Sequence, residues 1–190
     1  MPRIRSLRPN VSREAAVEEF SRGVFNSMRA LLVFGPIRSV ADFYIPFQLF
    51  HVEISSRGKL DQRVFGLDAV SGSLDLYHFE QLPGPSEIIY LETRNRITAS
   101  FDEQRSRELL LGKVRRLVFS TGFFRVRDLR ISADLIPGEI YVPYWVGFRG
   151  RGMSAQFTVL DAVRRKPEGA KVTQLLQNWL TSTTEIRDDL

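Results

Sequence analysis

The sequence predicts an α+β fold made of two pseudo-repeated halves, each a helix with an antiparallel meander, closed by a C-terminal helix. Three observations predict it. An aromatic, proline-containing stretch occurs twice, at residues 44–50 as Tyr-Ile-Pro-Phe-Gln-Leu-Phe and at 141–148 as Tyr-Val-Pro-Tyr-Trp-Val-Gly-Phe. Each copy is followed by a turn-prone basic segment and then by the same tetrapeptide, Leu-Asp-Ala-Val, at 67–70 and 160–163. The periodicity also runs helix, strands, connector, helix, strands, helix, the order of an α+β chain.

Residues 1–11 carry Arg3, Arg5 and Arg8 with Pro2 and Pro9 and read as a flexible basic arm. The first half spans 12–82. Its helix starts at the N-cap Ser12, carries Val17, Phe20, Val24, Phe25, Met28, Leu31 and Leu32 at helical spacing, and stops at Gly35-Pro36. Tyr44 to Ile54 is a strand, which Pro46 places at an edge or makes begin near that point. Ser55 to Gly58 is a turn, Arg63 to Val70 the return strand, Ser71-Gly72 a second turn, and Leu74 to Phe79 a third strand. Residues 83–99 form the connector, punctuated by Pro83-Gly84-Pro85, with a short strand from Ile88 to Leu91. The second half and the last helix occupy 100–183. Ser100 and Glu103 have capping-box spacing. Leu110, Val114, Leu117 and Val118 make the apolar stripe of that helix, with Arg105, Arg107, Arg115 and Arg116 on its other face. Phe123 to Ala133 reads as a strand, Ile136-Pro137-Gly138 as a turn, and Tyr141 to Phe148 as the second aromatic strand, apolar on both faces and therefore covered on both. One cover is expected to be its own helix. Ala155 to Val163 returns, and Val172, Leu175, Leu176, Trp179 and Leu180 line the last helix.

With 190 residues, 43% of them hydrophobic, the chain can bury a core as one compact domain. The absence of cysteine excludes disulfides, a thiol nucleophile and thiolate metal sites. No cofactor is expected, because phosphate loops, dinucleotide fingerprints and hydrolase elbows are missing. No stretch approaches the roughly 18 apolar residues of a membrane span, and no apolar signal core follows the basic N-terminus, so a soluble, cytoplasmic protein is expected. The net charge is +5, and only Lys59, Lys113, Lys166 and Lys171 among the 27 basic residues are lysines.

Residues 12–80 resemble the PepSY domain family. The match is carried by Asp68, Ala69, Gly72 and Leu74 within Val64 to Leu74, after a helix and the strand Phe50 to Ile54. The second copy keeps only Leu160 to Val163. The resemblance implies a helix packed on a meander and a regulatory or inhibitory role, since such domains are often regarded as modules beside proteases.

His51 and His78 are candidates for a metal or acid–base pair, but two histidines without a carboxylate motif make a poor site. Asp68 and Asp161 are candidates for a paired dyad; the better reading is that each ends a strand and accepts amide hydrogens in the next turn. Tyr44, Phe47, Tyr141, Tyr144 and Trp145 are candidates for an interaction surface, although their pattern also suits sheet core. Arg149, Arg151, Arg164, Arg165 and Lys166 are candidates for anion or nucleic-acid contacts. The function expected is a non-catalytic binding or regulatory module, with a protein partner or self-association. The alternative is nucleic-acid binding through an arginine-rich surface.

Overall fold

The computed structural model describes residues 1–22, 35–56, 58–120, 128–150 and 156–188. Among the described residues it is α+β, with three α-helices and an eight-stranded curled sheet. The strands are β1 (Arg3–Leu7), β2 (Ser39–Ser56), β3 (Lys59–Asp68), β4 (Tyr77–Phe79), β5 (Ile88–Glu92), β6 (Arg130–Arg149), β7 (Gln156–Asp161) and β8 (Lys166–Pro167). The helices are α1 (Arg13–Ser21), α2 (Glu103–Ser120) and α3 (Ala170–Asp188). None of the described helices is long and apolar enough to cross a membrane.

The sheet is built on the antiparallel pair β2–β6, which runs from Ser39↔Phe148 to Ser55↔Arg130 with one register shift between Phe47 and Leu49. Outside β2 lie β3 and β4; outside β6 lie β1 with β5, and β7 with β8. Alternation then sorts the side chains of the pair onto two faces. Phe43, Ile45, Phe47 and Leu49 of β2, with Ile140, Val142, Tyr144 and Val146 of β6, fill the inside of the curl. Val172, Leu175 and Leu176 of α3 close that interior. On the outer face, α2 packs Leu110, Val114 and Val118 on Phe50, Val52, Phe65 and Leu67, and α1 packs Ala16 and Phe20 near Val40 and Leu160.

Several sequence expectations change. The basic arm is strand β1, which pairs antiparallel with β5 and parallel with β6 at Ser6↔Tyr141. Ile4 and Leu7 are buried, so its backbone and apolar residues are both used. Pro46 sits in a central strand, not an edge. Its carbonyl accepts from Ala69 N at 2.9 Å, so its missing N–H faces the point where β3 has already ended. Pro143 repeats this on β6, accepting from Ala162 N at 3.1 Å where β7 has ended. The Pro137-Gly138 turn is an irregularity inside one 20-residue strand, with Phe47↔Ile140 followed by Leu49↔Ile136 and Gly138 at φ 92.

The cap of α2 is Asp102, accepting from Arg105 N at 2.8 Å, not Ser100, whose N–H goes to Ala69 O. The third strand of the first meander shrinks to Tyr77–Phe79 because the chain wraps Asp68 first. The first helix does start at the Ser12 cap but ends at Ser21 and not at Gly35-Pro36, because Arg22 turns extended with its N–H on Glu19 O; its expected residues 24–32 lie outside the described residues.

The aromatic half of β6 is not covered by the helix that precedes it. An 18-residue helix reaches roughly 27 Å and a 20-residue strand roughly 65 Å, so α2 ends over Ala133. Trp145 and Gly147 are covered by α1 instead, where a Cβ on Gly147 would meet Phe20 Cδ2 at 2.9 Å. α1 and α2 each begin against the end of a hairpin that does not adjoin them in the sequence. Ala69 O, at the end of β3, accepts from Ser100 and Phe101 just ahead of α2. Ala162 O, at the end of β7, accepts from Asn10 and Val11 just ahead of α1.

Candidate functional site

The aspartates are structural caps. Asp68 is fully buried; Oδ1 accepts from Ser71 N at 2.8 Å and Gly72 N at 2.9 Å, and Oδ2 from Leu74 N at 2.9 Å. Asp161, also fully buried, accepts from Val163 N and Arg164 N and holds Arg164 Nε at 2.7 Å. His51 aligns with Val64 and His78 with Phe65, neighbouring residues of β3, so the two imidazoles leave opposite faces of the sheet.

The aromatic surface does not form. Tyr44, Phe47, Tyr141 and Tyr144 are at most 5% exposed, and Trp145 packs beside α1 with Nε1 donating to Val11 O at 2.8 Å. Burial also raises the Tyr144 hydroxyl well above the usual tyrosine range. Tyr44 and Tyr141 pack with Ile4 and Leu91, Phe47 and Tyr144 fill the inside of the curl, and Trp145 lies under α1, so these rings are core. The expected basic patch disperses as well. Arg149 is 3% exposed and donates to Gly35 O and Phe20 O. Arg151 lies outside the described residues. Arg164 is held between Asp161 and Glu168, 3.9 Å above the Tyr77 ring. Arg165 turns away to Glu19 of α1 at 3.5 Å, and Lys166 enters β8. Burial raises the Glu168 carboxyl above its ordinary range, with Arg164 opposing.

Other cations do converge. A cleft of about 540 Å³ opens between α2, the β3–β4 edge and the start of α3. Arg63 and His78 reach it from the sheet, Lys113 and Arg116 from α2, and Lys171 from α3. Phe65, Leu76 and Leu117 supply apolar wall, and Asp75 is the one carboxylate lining it. Two of the cations carry their own counter-ion: Arg63 contacts Asp61 at 2.7 Å, and Lys171 contacts Asp75 at 2.6 Å. Lys113 and Arg116 make no ion pair among the described residues; Lys113 Nζ donates to Leu74 O at 2.6 Å.

Burial holds the Lys113 ammonium below the usual lysine range. Lys171 and Arg116 push it the same way, and Asp68 and Asp75 push against them. The cleft is thus a set of crowded positive charges with spare N–H donors, the arrangement that an anion relieves. A second cavity, of about 460 Å³, shares Lys171 but is otherwise lined by neutral side chains such as Ser71, Gln174 and Trp179.

Sequence reasoning missed this site because its cations come from three elements that no linear motif joins. The usable signal was Lys113 and Arg116, three residues apart beside the apolar stripe of α2. No family model, curated protein or solved structure matches the chain.

Proposed function

We propose that this chain is a binding module, built from two diverged copies of one unit that interlock, and that the cleft of Lys113 and Arg116 takes an anionic ligand. The observation that carries the reading is the charge of the cleft: Arg63, Lys113, Arg116 and Lys171 face a single lining carboxylate. The duplication is supported by paired details. Tyr44↔Pro143 and Pro46↔Tyr141 flank Ile45↔Val142 in register. Tyr44 bridges Arg96 in parallel as Tyr141 bridges Ser6. The PepSY-like pattern of residues 12–80 belongs to the same proposal, with α2 as the helix that lies on that meander. A regulatory role then means that the ligand, or its absence, is what the module reports. Because the aromatic strand is consumed inside the chain, the reading rests on the cleft and not on self-association.

The test is to titrate the full chain with inorganic phosphate at low salt and follow backbone amides by NMR. Shifts concentrated on 113–120 and 76–79 support the reading. Shifts centred on 164–166, or saturable binding of an oligonucleotide without displacement by phosphate, move the function to the nucleic-acid alternative.

A further inference from the structure

We propose that the ligand of this cleft is a small phosphomonoester carrying a flat apolar group. The proposal rests on the anion-binding reading above and adds the charge and the body of the ligand.

Charge comes first. Arg63 and Lys171 are already matched by Asp61 and Asp75, which leaves Lys113 and Arg116 without a contacting carboxylate among the described residues; Asp68 and Asp75 act on Lys113 only at longer range. Asp68, the other carboxylate acting on Lys113, has its oxygens taken by the Ser71, Gly72 and Leu74 amides. Two open charges match a dianion. A phosphomonoester carries about −1.5 to −2 at neutral pH, whereas a carboxylate or a phosphodiester carries one charge. Lys113 and Arg116 stand three residues apart on one helix and therefore reach one group together.

Size comes second. A cleft of about 540 Å³ is in the range of organic-ligand pockets and far exceeds a bare phosphate. The remaining wall is apolar or flat: Leu76, the 38%-exposed Leu117, and His78, whose ring lies 5.3 Å from that of Phe65. A planar apolar body beside the phosphate covers this wall. A repeating diester backbone presents single charges along a line and does not suit a concave site bounded by two helices and a sheet edge.

The experiment is calorimetry on the full chain at low salt with four probes: phenyl phosphate, inorganic phosphate, methyl phenyl phosphate (a monoanionic diester) and benzyl alcohol. Phenyl phosphate is expected to bind about tenfold more tightly than inorganic phosphate and than the diester. Benzyl alcohol is expected to show no binding. Leu117→Ala should erase the advantage of the phenyl group and leave phosphate binding intact. Arg116→Gln, at an exposed position, should weaken both phosphates about tenfold with an unchanged melting curve. Equal affinity for phenyl phosphate and phosphate overturns the apolar body, and equal affinity for monoester and diester overturns the charge match; both results leave the anion cleft standing. Failure of every probe removes the cleft as well.

Discussion

The turns after β3 and β7 begin with the same four residues and solve the same problem with different material. In each, a fully buried aspartate collects the amides of the following turn, and the residue four positions on is left-handed: Gly72 at φ 60 and Arg165 at φ 54. They differ in where the aspartate finds a cation. Asp161 uses its neighbour Arg164, in direct contact and spent on the fold. Asp68 is served by Lys113, which arrives from α2, donates to Leu74 O and keeps the rest of its donors. The local solution closes the second turn. The remote solution leaves a half-buried ammonium at the mouth of a cleft, so the more loosely compensated turn is where a ligand finds purchase.

The largest test breaks the chain between the two turns. Fragments 1–82 and 83–190 separate α1 from the β6–β7 hairpin it covers, and α2 from the β2–β3 hairpin. Each fragment alone is expected to lack native circular dichroism, and an equimolar mixture to regain it. A fragment that folds alone would mean that its helix is held without the other fragment's hairpin, and the interlocked reading would be lost.

Next is the aspartate pair. Asp68→Ala strands three amides, two of them buried, and should cost about 4 kcal/mol in urea unfolding. Asp161→Ala should cost about 3 kcal/mol. Double-mutant cycles separate the two turns. Asp161→Ala with Arg164→Leu should show coupling of roughly 1–3 kcal/mol because the groups touch. Asp68→Ala with Lys113→Met should show less than about 0.5 kcal/mol. Equal coupling would erase the distinction drawn between the turns.

Much of this was legible in the sequence. Ser12, Gly72, the stripe of α3, the stripe of α2 except for the exposed Leu117, and the capping role of both aspartates follow from local chemistry. Strand β1 was legible too, since Arg3, Ile4 and Arg5 alternate, but the prolines around them argue for an arm. The position of Pro46 was not, because a proline reports a missing donor and not which side of a sheet lacks a neighbour. Which hairpin each helix covers was not legible either, for periodicity shows that a strand is covered and not by what. The cleft lies furthest from the sequence. Arg63, Lys113 and Lys171 are 50 or more residues apart, and only the fold makes them neighbours.

The left-handed residues give a smaller test with opposite signs. A Cβ on Gly72 would meet Leu109 Cδ1 at 2.8 Å, so Gly72→Ala combines backbone strain with a clash against α2 and should cost about 2 kcal/mol. Arg165 already bears the strain in an exposed position, so Arg165→Gly should stabilise by up to about 0.5 kcal/mol after the added freedom of the unfolded chain is counted. Thermal melts of the two variants should move in opposite directions.

The smallest expected effect concerns the protons of the first turn. Lys113 is held below the usual lysine range, chiefly by burial, so the folded chain gives up this proton more readily than the unfolded chain does. The unfolded state binds more protons between the two pKa values, and stability therefore rises with pH through that alkaline window. A phosphate on Lys113 favours the ammonium and opposes the shift. Its affinity should accordingly fall on the alkaline side, at a lower pH than an ordinary lysine titrates, with proton uptake on binding visible as a dependence of the calorimetric heat on buffer. Lys113→Arg keeps the charge at all these pH values, so it should flatten both the stability slope and the alkaline loss of binding. If the loss persists unchanged in Lys113→Arg, another group carries the titration, and the remote cation of the Asp68 turn is not the one that meets the ligand.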